Sequence, residues 1–284
     1  MFEPDAVRKD RKGLAESLRA LRRDSGLSGE RLAKRAHMSQ AKISRIETGR
    51  VLPSVTEVER IVRALEVPAD AAAELLTLAK IANTEFLSRR RMRRNGAAYR
   101  QRELAAQMQQ SSQIRFALPT ALSGLLQTPE YVRSNIYDPM SKISDEQKPA
   151  LIAAKLARQE ILHVVEKHFN FLLAEAAVRR FIAAPAAMAE QVDHLVSVST
   201  MPTVDLEVIP LDVQSSSSPI NIFTIYDERL VTVETQAGSM ALRDPVDVRE
   251  HLELFKYFRR NALKGEECRE FLRAIAADFR SRAG

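Results

Sequence analysis

The chain has 284 residues, about twice the length of a typical domain, so we expect two domains. No run of about 18 apolar residues occurs and residues 1–13 have no apolar core, which argues against a transmembrane helix and a secretory signal. The single cysteine, Cys268, excludes an intrachain disulfide and is typical of a cytoplasmic protein.

The net charge of +6 is unevenly distributed. Residues 1–103 hold 23 Lys and Arg against 14 Asp and Glu, whereas residues 104–284 hold 20 against 23. A basic excess confined to the first third favours a nucleic-acid-binding module joined to a domain with another role.

Five short helices are predicted between residues 11 and 83, because apolar residues recur there at helical spacing. In chain order these residues are Leu14, Leu18 and Leu21; Leu32, Ala33 and Ala36; Ile43 and Ile46; Val58, Ile61, Val62 and Leu65; and Leu75, Leu76, Leu78 and Ala79. Ser28 and Ser39 are suited to cap the second and third helices, and Gly49 to end the third in a left-handed conformation. Ser54 and Glu57 form a capping-box pattern at the fourth.

The outward positions of the third predicted helix are polar. They carry Gln40, Lys42, Ser44 and Arg45, whose amide, cationic and hydroxyl groups can reach base edges and phosphates in a major groove. The alternative interpretation is an ordinary helical hairpin with a solvated polar face.

This pattern resembles the all-α, five-helix Cro/C1-type (XRE family) helix-turn-helix domain of phage repressors and many bacterial regulators. The matching positions are Leu32-Ala33, Ser39-Gln40, residues 43–47 (ISRIE), Gly49-Arg50 and Pro53-Ser54. The resemblance implies a DNA-binding domain over residues 1–83.

The same resemblance assigns roles to individual residues. It implies base contacts from Gln40, Ala41, Lys42 and Arg45, phosphate contacts from Ser39, Ser44 and Arg50, and a structural pair between Arg22 and Glu47. Many members begin the second helix with a glutamine that contacts phosphate and braces the glutamine of the third helix. This chain has Gly29 at that position.

Residues 84–103 are predicted to form a basic linker or helix extension. This segment contains a run of five arginines: Arg89, Arg90, Arg91, Arg93 and Arg94. They can add phosphate contacts beside the helix-turn-helix, or they can simply form a solvated helix end.

Residues 104–284 are predicted to form an α+β domain with a small, mainly antiparallel sheet covered by helices. Helices are expected over residues 104–116, 150–168, 175–182, 185–198, 246–262 and 266–281, with another starting at Thr128-Pro129. Strands are expected over residues 169–173 and 204–211, and over 220–226 and 230–234 as a hairpin.

This second domain is similar to the C-terminal domain of a large actinobacterial group of helix-turn-helix regulators, often called antitoxin-like or WhiJ-like. The matching stretches are residues 124–131 (GLLQTPEY), Arg158-Gln159, residues 174–180 (AEAAVRR) and residues 208–210 (VIP). Ser123 stands where the group usually has proline. The resemblance implies a transcriptional regulator, often encoded near a small partner protein that its C-terminal domain can bind.

An enzymatic role finds little support in the side chains. No HExxH, CxxC or GxSxG pattern occurs, and His163 and His168 are too far apart to share a helix face at a metal. We therefore expect no catalytic residues, no metal and no cofactor. Two alternatives to a DNA-binding regulator remain: an antitoxin-like protein that sequesters a small partner and represses its own operon, and an enzyme tethered to DNA.

A homodimer that binds an inverted repeat is also predicted. The last two predicted helices contain more bulky apolar residues than one small sheet needs: Leu252, Phe255, Tyr257, Phe258, Phe271, Leu272 and Ile275. These residues can form a dimer interface, or they can be buried within one subunit.

Overall fold

The computed structural model describes residues 5–88, 92, 97–135, 144–215, 217 and 219–283. They form two compact units. The first consists of Met1–Phe86 and Met240–Val248, and the second of Leu87–Ser239 and Arg249–Gly284. Within the described residues, no helix is both long enough and apolar enough to span a bilayer.

In the part of the chain that the structure describes, the first unit is built on five helices around one apolar core. They are α1 (Asp5–Asp24), α2 (Gly29–Arg35), α3 (Gln40–Glu47), α4 (Val55–Ala64) and α5 (Ala69–Asn83). Leu14, Leu32, Ile43, Val58 and Ala79, one from each helix, are almost completely buried in this core. The helical amino-terminal region predicted from periodicity is therefore confirmed, although α1 begins earlier than the predicted residue 11.

Side-chain caps form at the predicted starts of α2, α3 and α4. The hydroxyls of Ser28 and Ser39 each accept a hydrogen bond of 3.2 Å from the backbone amide three residues later. Ser54 and Glu57 exchange hydrogen bonds in a capping box at the start of α4. Gly49 follows α3 with φ of +68°, a conformation that costs glycine little.

Several hydrogen bonds of this unit join residues that are far apart in the chain. Asp244 Oδ2 accepts a hydrogen bond of 2.8 Å from the amide of Val55, the first residue of α4. The side-chain amide of Asn83 donates to the carbonyl of Pro53 at 2.8 Å, and the amide of Arg243 donates to the carbonyl of Asn83 at 3.0 Å. Asp244 thus satisfies a helix-end amide that lacks a partner within its own helix.

Within the described residues, seven strands form one sheet in the order β1-β7-β6-β5-β2-β3-β4. The strands are β1 (Thr84–Ser88), β2 (Gln113–Leu118), β3 (His168–Ala174), β4 (Val204–Ile209), β5 (Ile222–Tyr226), β6 (Leu230–Glu234) and β7 (Gly238–Leu242). β3 runs parallel to both β2 and β4, whereas β5 runs antiparallel to β2 and β6.

The predicted small, mainly antiparallel sheet is therefore wrong in size and in part of its strand direction. The chain from β3 to β4 passes through two helices, a crossover that permits parallel strands. β1 and β7 were not predicted, and the predicted helix over residues 104–116 gives way to β2. A short apolar run such as residues 114–118 does not distinguish a buried strand from a helix by its periodicity.

The later helices are α6 (Ala97–Gln109), α7 (Pro129–Asn135), α8 (Lys148–Ala157), α9 (Glu175–Arg179), α10 (Pro185–Val198), α11 (Pro245–Arg259) and α12 (Gly265–Ser281). Short 3₁₀ turns cover Gly124–Leu126 and Arg158–His163. The predicted helix over residues 150–168 is thus shorter, because the chain tightens into a 3₁₀ turn at Arg158. The helices predicted over residues 185–198, 246–262 and 266–281 are confirmed as α10, α11 and α12.

Two buried polar groups mark the interior of the second unit. The ammonium group of Lys167 donates to the carbonyls of Met108 and Gln109 at 2.9 Å and of Ser111 at 2.7 Å. Met108 and Gln109 are the last two residues of α6 and Ser111 follows it, so these carbonyls lie where no further turn of the helix supplies amide donors. Burial raises the pKa of the Cys268 thiol to about 12, so this cysteine is protonated and unreactive at neutral pH.

Candidate nucleic-acid interface

The third helix has one buried face and one exposed face. Ile43 and Ile46 anchor it in the core of the first unit. Gln40, Ser44 and Arg45 are exposed. Gln40 and Ser44 share one face of the helix because they lie one turn apart, and Arg45 lies beside them. The exposed face of α3 therefore carries an amide, a hydroxyl and a guanidinium group.

The side chains predicted to contact bases differ in how they are held. Arg45 Nε donates to the carbonyl of Ala41 at 3.3 Å, so the guanidinium lies along its own helix. Lys42 forms an ion pair with Glu57, the residue that also closes the capping box of α4. Gln40 is exposed. Arg45 Nε and Lys42 Nζ are thus each engaged by a partner within the first unit.

Gly29 leaves open space beside Gln40. A Cβ atom added at Gly29 would lie 3.9 Å from Gln40 Nε2, with no other atom within 4 Å. A depression of about 230 Å³ lies here, lined by Arg19, Arg22, Gly29, Gln40, Ile43, Ser44, Glu47 and Thr48. An open depression thus lies at the position where the sequence resemblance implied a bracing glutamine.

The predicted phosphate-contacting residues border the same face. Ser39, Ser44 and Arg50 are all exposed. The Ser39 oxygen accepts the capping hydrogen bond from the amide of Lys42, and its own hydroxyl proton can still be donated. Hydroxyl and guanidinium groups of this kind are common phosphate ligands.

Arg22 and Glu47 form a two-pronged ion pair. Arg22 Nε lies 2.6 Å from Glu47 Oε1, and Arg22 Nη2 lies 2.9 Å from Glu47 Oε2. A third donor, Arg22 Nη1, bonds the carbonyl of Leu27 at 3.0 Å. The hydrogen bond to Glu47 raises the pKa of Arg22, against the lowering effect of burial. One guanidinium thus joins α1, the end of α3 and the turn before α2.

The structure does not test every predicted contact, and it contains one contact that the sequence did not predict. Arg89, Arg90, Arg91, Arg93 and Arg94 lie outside the described residues. The restraint of Lys42 by Glu57 was not predicted, because the two residues are 15 positions apart and no local pattern links them. Among the described residues, no three His, Cys, Asp or Glu side chains are grouped so that they could hold a metal ion.

Comparison with known families adds two matches. Residues 14–75 match a helix-turn-helix domain. Residues 101–274, more than half of the chain, match a family described as a domain of unknown function, DUF5753. The chain belongs to the DUF5753 family. Among curated proteins, none matches the chain.

One solved structure similar to this DUF5753 protein is that of TrmBL2, described as an archaeal chromatin protein with a novel mode of DNA binding. The sequence identity is 14% and the TM-score is 0.32. The match covers 73% of this chain and 66% of TrmBL2, slightly less than two-thirds of its length. A TM-score of this size does not establish a common fold.

Two stretches of the DUF5753 region that carried the sequence resemblance meet in the structure. Gln159 Nε2 donates to the carbonyl of Gly124 at 2.9 Å and to that of Gln127 at 2.7 Å. Gln191 completes the turn, because it accepts from the amide of Thr128 at 2.7 Å and donates to the carbonyl of Leu126 at 2.6 Å. The GLLQT turn is thus held by side-chain amides from two other elements.

Proposed function

We propose that this chain is a sequence-specific, double-stranded-DNA-binding transcriptional regulator of the Cro/C1 type. The observation that carries the proposal is the match of residues 14–75 to a helix-turn-helix domain, together with the exposed polar face of α3. In such domains the second helix of the motif enters the major groove. The proposal assigns no catalytic step to the chain.

Within this proposal, the residues of α3 divide by role. Gln40, Ala41, Lys42 and Arg45 contact bases, and Ser39, Ser44 and Arg50 contact phosphates. Arg45 is the main specificity residue, because a guanidinium can bond guanine O6 and N7 together. Glu47 is not a reader of DNA, because its carboxylate is engaged by Arg22.

We expect Arg45→Ala to relax base preference at one position of each half-site. A bidentate arginine–guanine contact discriminates against other bases by about 1–3 kcal/mol, so that position should become nearly unselective. The measurement is selection of bound duplexes from a random pool by the full-length wild type and variant, followed by sequencing.

Arg50→Ala provides the matched control, because it removes the same guanidinium from a proposed phosphate contact. It should weaken binding to all sequences alike and reduce the slope of log affinity against log salt by about 1. A sequence preference left unchanged by Arg45→Ala would show that α3 docks in a different register.

We further propose that the regulator is a homodimer that binds an inverted repeat and that its C-terminal domain binds a ligand or a protein partner. A single helix of eight residues offers few base contacts, and two copies placed one DNA turn apart double them. Of the apolar residues considered for the interface, Phe255, Phe258, Leu272 and Ile275 are buried within the chain, so they belong to its core.

The expected result is a molar mass near twice the 31.9 kDa of one chain in light scattering of the full-length protein without DNA. A mass of one chain at micromolar concentration would exclude a stable dimer before DNA binding. Addition of a duplex carrying a single half-site, compared with an inverted repeat, then distinguishes a dimer that forms on DNA from a monomeric regulator.

A further inference from the structure

The depression at Gly29 lies between α1 and α3, beside the exposed polar face of α3. Its lining includes Arg19 and Arg22 of α1 together with Gln40 and Ser44 of α3. Gly29 has no side chain, so this space stays open to solvent. Its volume of about 230 Å³ is several times the roughly 30 Å³ that one water molecule occupies, so a phosphate group fits in it.

The two arginines of the depression differ in how they are bonded. Every nitrogen of the Arg22 guanidinium already has an acceptor, either Glu47 or the carbonyl of Leu27. Arg19 lies one turn earlier on the same face of α1. It is exposed, and it forms no hydrogen bond or ion pair with the described residues. Because Arg22 and Glu47 cancel each other's charge, Arg19 supplies the net positive charge of the depression.

The polar side chains of α3 add further donors to the depression. Gln40 and Ser44 are exposed, and neither side chain has a hydrogen-bond partner in the part of the chain that the structure describes. The hydroxyl of Thr48, in contrast, already donates to the carbonyl of Ser44 at 2.8 Å. A guanidinium, an amide and a hydroxyl around one net positive charge suit an anion with several acceptor oxygens, such as a phosphate.

The position of the depression favours a phosphate of DNA over a free anion. The major groove is about 12 Å wide and a helix with its side chains is about 10–12 Å across, so a helix in the groove lies close to the phosphates on both sides. The depression flanks α3 on the side of α1. A single exposed cation binds a free anion weakly in water, whereas a docked duplex holds its phosphate in place.

We propose that Arg19 contacts a DNA backbone phosphate that enters this depression, together with the hydroxyl of Ser44. The inference rests on the proposed DNA-binding function and adds to it a residue to which the sequence resemblance assigned no role. The contact carries no sequence information of its own, but it fixes the position of α3 in the groove. The Gln40 amide and the Arg45 guanidinium are then left for the base edges.

The test replaces single phosphates of the DNA. The probe is the duplex that the full-length wild type selects from a random pool, prepared with one neutral methylphosphonate at a time in place of a phosphate. At the phosphate that Arg19 contacts, the methylphosphonate should weaken binding of the wild type about tenfold. It should have almost no effect on Arg19→Gln, which binds the unmodified duplex about tenfold more weakly than the wild type.

Arg63→Gln is the matched control. Arg63 is another exposed arginine of the first unit that has no partner among the described residues, but it does not line the depression. Its replacement removes the same charge, so it should change the affinity by less than about twofold, because solvent and salt screen a charge that makes no contact. Arg63→Gln should also respond to every methylphosphonate as the wild type does. In Arg19→Gln, the slope of log affinity against log salt should become less steep by about 1.

Three results would overturn the assignment. The first is equal affinity of Arg19→Gln and the wild type for the selected duplex. The second is wild-type sensitivity of Arg19→Gln at every phosphate, which would show that Arg19 acts only through its general charge. The third is a lower urea midpoint of Arg19→Gln, which would give Arg19 a structural role. Failure of the proposed function would look different, because the wild type would then select no duplex at all.

Discussion

Replacement of Glu47 with glutamine should lower the free energy of unfolding by about 3 kcal/mol. The side chains of Arg22 and Glu47 are only 16% and 10% exposed, so loss of the carboxylate leaves a largely buried guanidinium without its charge partner. A neutral amide can accept only one of the two hydrogen bonds that Glu47 now accepts from Arg22. Urea denaturation of the full-length protein, followed by helical circular dichroism, measures the change.

Glu66→Gln is the matched control for this prediction. Glu66 also pairs with an arginine, Arg35, but its side chain is 83% exposed, and exposed pairs contribute about 0–1 kcal/mol. Its replacement should leave the unfolding curve almost unchanged. If Glu47→Gln kept full stability but lost DNA binding, Glu47 would have to be reassigned from the fold to DNA recognition.

Replacement of Lys167 with methionine should destabilise the second unit by about 3 kcal/mol. Methionine fills a similar volume but donates no hydrogen bond, so the carbonyls of Met108, Gln109 and Ser111 lose a shared donor at the end of α6. The lysine charge also interacts favourably with the negative end of that helix. The change is measured from the urea midpoint of the full-length chain.

Lys256→Met removes the same charge from a surface position for comparison. The side chain of Lys256 is 66% exposed and pairs with Glu253 within one turn of α11, so its loss should change stability by less than about 0.5 kcal/mol. A similarly small effect of Lys167→Met would mean that water satisfies the three carbonyls after the lysine is removed.

The features that could be predicted from sequence depend on residues a few positions apart. Ser54 and Glu57 are three residues apart, and both partners of that capping box can be identified from sequence alone. The apolar periodicity of the five amino-terminal helices is equally local, and it indicated both the buried face of α3 and its exposed polar face. The hairpin of β5 and β6 was predicted because only three residues separate its strands.

The features that could not be predicted join residues far apart in the chain. The parallel pairing of β2 with β3 connects strands about 55 residues apart, and alternation within either strand does not specify its neighbour. Lys167 reaches carbonyls 56 to 59 residues earlier, and nothing near position 167 marks it as a helix cap. The pairing of Arg22 with Glu47 was inferred only from a resemblance, since 25 residues separate the two.

The hydrogen bond between Val55 and Asp244 has a consequence for synthesis of the protein. Its partners are 189 residues apart, so a nascent chain that already contains α1 to α5 still lacks the carboxylate at the start of α4. At about 5–20 residues per second, translation takes roughly ten seconds or more to supply it. During that interval the amide of Val55 lacks this acceptor, so the hydrogen bond can form only after most of the second unit has been translated.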